Sequence, residues 1–129
     1  MKKIISIIAI TILSNIGYSQ NGPKIEFKTK ENTIDFGTIS KGKDSGIRTI
    51  EFTNTGNAPL IIVSIQSTSS FTVLSKINSP ILPGKSDKIE VKYNMTLGPI
   101  RKTITVETNA INYEEGRIPF KIKGEVIAN

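Results

Sequence analysis

Proton transfer at neutral pH and soft-metal binding depend mostly on histidine and cysteine, and this chain of 129 residues has neither. Carboxylates, amides and hydroxyls remain. Glu114 and Glu115 are the only adjacent acidic pair, and the nearby Asn109 and Asn112 could add carbonyl oxygens, a donor set that suits calcium. No Asp-x-Asp spacing accompanies them, so a solvated acidic turn is the expected reading. Calcium or glycan binding through that loop is an alternative. The serines of Ser67 to Ser70 lack an evident base and read as a polar loop. Asp35-Phe36-Gly37 spells a kinase metal-binding motif without the glycine-rich loop, catalytic loop or length that would give it meaning. Asn94-Met95-Thr96 is a formal glycosylation triplet, and Tyr93 would need a partner for its hydroxyl if buried. No catalytic, cofactor-binding or metal-binding residue is assigned, and a non-enzyme is expected.

The elements that must carry these residues are strands. Alternation of apolar and polar side chains predicts strands over Lys24 to Lys30, Thr33 to Ile39, Arg48 to Asn54, Leu60 to Ile65, Phe71 to Leu74, Lys88 to Tyr93, Arg101 to Thr108 and Arg117 to Val126. The first two could also be one strand broken by a bulge. About seven strands with almost no helical periodicity predict an all-β, immunoglobulin-like Greek-key sandwich. Pro119 and the lysines on either side of Ile122 predict that the last strand lies at a sheet edge. Pro80 to Gly84 reads as a stiff bend poor in hydrogen bonds, and Asn21 to Pro23 as a short flexible lead.

One stretch organises the rest. In Phe52 to Val63 an alternating strand stops, turns on Asn54, Gly56, Asn57 and Pro59, and restarts as the most apolar run after the N-terminal segment. A hairpin and a corner between two sheets fit these residues equally well. Beyond the turn, Leu60 and Ile62 share one face while Ile61, Val63 and Ile65 share the other, so the strand is apolar on both sides. Either the strand is central and partly covered by a loop or the N-terminal run, or Ile61, Val63 and Ile65 form a docking strip for a partner.

Composition narrows the partner. Lys2 and Lys3, the apolar run Ile4 to Leu13 and the small-x-small Gly17-Tyr18-Ser19 predict a signal peptide over residues 1–19. The apolar run is about half of the roughly 20 residues a spanning helix needs, so no stable membrane insertion is expected after cleavage. Residues 20–32 are then a lead and first strand, and 33–127 the sandwich domain. The net charge of +6 falls to +4 without Lys2 and Lys3. Clustered arginines with interleaved aromatics are missing, which argues against nucleic acid.

Thr33-Ile34-Asp35-Phe36-Gly37-Thr38-Ile39, Phe52 to Leu60, Pro83-Gly84, Val106-Glu107-Thr108-Asn109 and Lys123-Gly124-Glu125-Val126 together resemble an exported bacterial family of immunoglobulin-like domains without known function. That family is similar in turn to major sperm protein and Hydin-type modules. The resemblance covers Thr33 to Val126 and rests on turns and core positions. Its members usually carry a Cys-Gly-Cys-Thr run where this chain has Ser69-Ser70-Phe71-Thr72. Any role of those thiols does not transfer, and Phe71 should instead fill core, contributing on the order of 2 kcal/mol.

The expected function is therefore an exported interaction or scaffold module of the bacterial cell envelope, in the periplasm rather than outside the cell. It would bind a protein or envelope component through a sheet edge or the strip, without a cofactor. A pilus-type chaperone, which binds by strand addition, is the other alternative; such chaperones have two domains of this kind.

Overall fold

The structure, a computed structural model, describes residues 21–75 and 79–128. The expected signal peptide, residues 1–19, lies outside the described residues. Among the described residues there are eight strands: β1 (Ile25–Phe27), β2 (Thr33–Ser40), β3 (Ile47–Asn54), β4 (Ile62–Gln66), β5 (Phe71–Val73), β6 (Ser86–Tyr93), β7 (Gly98–Thr108) and β8 (Arg117–Ile127). Two single 3-10 turns, Lys30–Asn32 and Glu114–Gly116, precede β2 and β8. One sheet has the order β1-β3-β6-β5 and the other β2-β8-β7-β4. All pairings are antiparallel except β2 with β8.

The predicted alternation is what closes the two sheets on each other. Ile50 and Phe52 on β3, Ile89 and Val91 on β6, Ile104 and Val106 on β7, and Ile118, Phe120 and Ile122 on β8 are buried between the layers. Each such side chain stabilises the fold by about 1.5–3 kcal/mol relative to exposure. Phe27 crosses the gap to Phe120 in an edge-to-face contact with ring centroids 4.7 Å apart. Phe71 is buried and packs 5.0 Å from the Tyr93 ring, as its core role requires.

The turn after β3 is a corner, because β3 belongs to one sheet and β4 to the other. β1 and β2 likewise lie in different sheets, so they are not one interrupted strand. Asn54 is the buried centre of the corner. Its amide nitrogen donates to the carbonyls of Ala58 and Ile81, each at 2.8 Å. Its Oδ1 accepts from the Gly56 N–H at 2.9 Å and the Lys24 N–H at 3.4 Å. All the polar capacity of a side chain that cannot reach water is thus used.

Four local expectations are corrected. Asn21 to Pro23 is tied down: Gly22 N–H donates to Asn57 Oδ1, Asn57 N–H donates to the Gly22 carbonyl, and Ile111 N–H donates to that of Pro23. The bend at Pro80 to Gly84 is bonded, since Leu60 and Ile81 exchange both backbone hydrogen bonds and Gly84 N–H donates to Asn54. β8 is an interior strand between β2 and β7. Pro119 is tolerated because β2 joins only from Lys121 onward, so at position 119 β7 is the one paired neighbour. Finally, the strand after the corner is not central but sits at the edge of its sheet, outside β7.

Candidate interaction site on the β4 edge

β4 takes its shape from a bulge. Ile62 pairs with Thr108 and Ser64 with Glu107, so two residues advance on β4 for one on β7 and Val63 is the extra one. The alternation that placed Ile61, Val63 and Ile65 on one face therefore breaks after Val63. Ile61 and Val63 flank the buried Ile62 and point outward, 45% and 65% exposed. Ile65 pairs with the buried Val106 and packs against the core. The structure brings together two of the three strip residues and turns the third inward, a one-residue slip in a period of two.

The exposed pair stands on a fixed backbone. Ile61 N–H donates to Asn109 Oδ1 at 2.8 Å, Asn109 N–H donates to the Ile61 carbonyl at 3.1 Å, and Asn109 Nδ2 donates to the Pro59 carbonyl at 3.2 Å. Beside the pair, Glu107 accepts from Ser64 and Gln66 and is bridged at 2.8 Å by Arg117. An apolar knuckle beside a neutralised polar cluster suits side-chain docking better than chemistry.

Those hydrogen bonds also bear on the calcium alternative. Asn109 Oδ1 is taken by Ile61, while Asn112 Oδ1 accepts from the Ile25 N–H and its Nδ2 donates to the Ile25 carbonyl, capping the outer side of β1. Glu114 and Glu115 are exposed on the 3-10 turn. Asn109 and Glu115 line one open hollow with Tyr113, Asn112 and Glu114 are not part of its lining, and among the described residues no three His, Cys, Asp or Glu form a metal-sized group. Ser67 and Ser69 lie exposed in the loop between β4 and β5. Asn94 is exposed in an Asx turn, accepting from the Thr96 N–H and hydroxyl. Tyr93 is buried against Phe71 and Phe36 and lines an open hollow of about 500 Å³ with Lys41 and Lys92; none of the described residues bonds its hydroxyl.

Sequence reasoning missed one node at the end of the sandwich away from the corner. Arg48 pairs in register with the buried Val91, on the core-facing side of β3. Its guanidinium lies 4.2 Å from the centroid of Phe36, on the opposite sheet, and donates to both oxygens of Asp44 at 3.1 and 3.0 Å. The hydrogen bonds from Arg48, followed by one from the Gly46 N–H, hold the Asp44 carboxyl below the ordinary 3.8; partial burial opposes them. The signal was an arginine at a strand position whose neighbours i+2 and i+4, Ile50 and Phe52, are core.

Comparison with other proteins confirms the fold and stops short of an activity. No curated protein matches the chain. A protein of unknown function from Porphyromonas gingivalis W83 is 18% identical with a TM-score of 0.65, over 82% of this chain and 48% of that one. The secreted serine protease VesC from Vibrio cholerae is 16% identical with a TM-score of 0.59, over 80% of this chain and 23% of that one. WR4, a major sperm protein family member from C. elegans, is 9% identical with a TM-score of 0.50, over 83% of this chain and 99% of that one. The chain thus spans about half of the Porphyromonas protein and about a quarter of the protease. At these identities the likeness is one of fold. Residues 26–126 match the profile described as Protein of unknown function (DUF1573), and the chain belongs to that family.

Proposed function

We propose that this chain is an exported, non-catalytic interaction module of the bacterial cell envelope, working in the periplasm and binding a protein or envelope component through Ile61 and Val63 on the edge of β4. The observation that carries the reading is the exposure of these two aliphatic side chains, 45% and 65%, on a backbone clamped by Asn109 and Ile81. Two rigid apolar side chains give contact area with little loss of freedom on binding. The bulge at Val63 disturbs the ladder that an added strand would need, which favours side-chain docking over the strand addition of pilus-type chaperones. The signal-like N-terminus supports export. The lack of histidine and cysteine supports a binding role, and the protease in the comparison matches this fold over only 23% of its length.

A photo-crosslinking side chain placed at Val63, in envelope extract, tests this reading. Capture of a discrete species from position 63 but not from Lys88 on the other sheet, weakened by Ile61→Ser with the melting temperature unchanged, is the expected result. Equal capture from both positions would discard the β4 site.

A further inference from the structure

A second feature of the β2-β8-β7-β4 sheet is a cluster of cations with little acidic pairing among the described residues. On the outward face, Arg101 of β7 stands directly opposite Lys123 of β8, and Lys121 stands opposite Thr103. All four are exposed and alternate with buried Ile100, Phe120, Ile122 and Ile104. Like charges directly across a strand pair destabilise a sheet unless something else neutralises them. Arg101 and Lys121 make no ion pair or hydrogen bond with any described residue. Lys123 reaches Asp35 only at 3.9 Å, and one oxygen of that carboxylate already accepts from the Gly37 N–H. Glu125, two residues further along β8, lies opposite Pro99 and forms no ion pair with these cations.

These three cations, together with Lys102, border an open groove of about 570 Å³ that includes Thr33 and Thr103. The Thr33 hydroxyl is occupied by the Glu31 carbonyl, whereas that of Thr103 makes no bond to a described residue. Lys121 and Lys123, on the same face two residues apart, and Arg101 one strand over, have backbone positions on the order of 5–8 Å apart, within reach for their long side chains to converge on a single tetrahedral oxyanion. A guanidinium that can bond two oxygens, two ammonium groups and a hydroxyl match a dianion better than a carboxylate.

We propose that this groove binds a phosphate monoester, the phosphoryl group being held by Arg101, Lys121 and Lys123 with the Thr103 hydroxyl as a fourth donor. The site is separate from the β4 edge and does not depend on what binds there. Amide chemical shifts of the full chain, titrated at constant ionic strength with inorganic phosphate and with glycerol 3-phosphate, test it. Both probes are expected to shift the amides at positions 101–103 and 121–123 and to saturate in the millimolar range. Arg101→Gln and Lys123→Gln should each weaken binding roughly tenfold, while Lys88→Gln on the other sheet leaves it unchanged. Arg101→Gln should also hold or raise the melting temperature, since it relieves repulsion and breaks no bond. Shifts spread evenly over the lysines, no saturation, rejection of the ester, or undiminished binding by Arg101→Gln would each overturn the proposal.

Discussion

The side-chain amide of Asn54 donates a buried 2.8 Å hydrogen bond to the carbonyl of Ile81, joining the end of β3 to the bend 27 positions later. The same amide holds Ala58, and its oxygen holds Gly56, so one side chain connects the corner to the segment that pairs with its exit.

Removing that side chain leaves several buried backbone groups unpaired. Asn54→Ala should cost roughly 3 kcal/mol, read as a lowered urea midpoint with an unchanged slope. Asn54→Asp should cost more at neutral pH, because it sets a carboxylate against two carbonyl oxygens. A midpoint within error of wild type for either variant would contradict the hub.

The corner also leans on the N-terminal lead. A Cβ on Gly56 would run into the Gly22 carbonyl oxygen and the Lys24 nitrogen, both backbone atoms that cannot step aside cheaply. Gly56→Ala should therefore cost about 2 kcal/mol or more and raise amide exchange at Gly22 and Asn57. Unchanged exchange there would mean the lead is not docked.

The bulge on β4 separates two residues of similar chemistry. Val63→Ser should stay within about 0.5 kcal/mol of wild type, whereas Ile65→Ser should lose about 1–2 kcal/mol because its side chain packs on the core. Equal losses in denaturant melts would restore the unbroken alternation.

Asp44 makes stability depend on acid. Its folded-state carboxyl titrates below the ordinary 3.8, because Arg48 and the Gly46 N–H bond its charged form. Its contribution is thus complete above 3.8 and disappears as pH falls through the lower folded value. The advantage of wild type over Asp44→Asn, measured by urea unfolding, should be constant from neutral pH down to the ordinary aspartate range and shrink below it. An advantage that grows on acidification would reverse the sign and refute the pairing. Arg48→Lys should lose about 1–2 kcal/mol even at neutral pH, since an ammonium cannot make the two-pronged bond to Asp44.

What the amino-acid order determined alone was local: which residues alternate, where Asn, Gly and Pro stop a strand, and hence that two facing layers enclose Phe52, Ile89 and Ile104. The family likeness was legible for the same reason, since it is carried by turns and core positions. Tertiary structure decided everything that depends on neighbours. Pro119 looks like an edge residue in sequence, yet β8 is interior, because a missing N–H matters only where a second strand is present. Ile65 looks like a companion of Val63, yet one extra residue opposite β7 turns it inward. Asn109 and Asn112 offer carbonyl oxygens in sequence, yet the fold sets the Ile61 and Ile25 N–H groups against them. Periodicity is written in one chain segment, whereas pairing partners are chosen by segments tens of residues away, and only the assembled sheets bring those together.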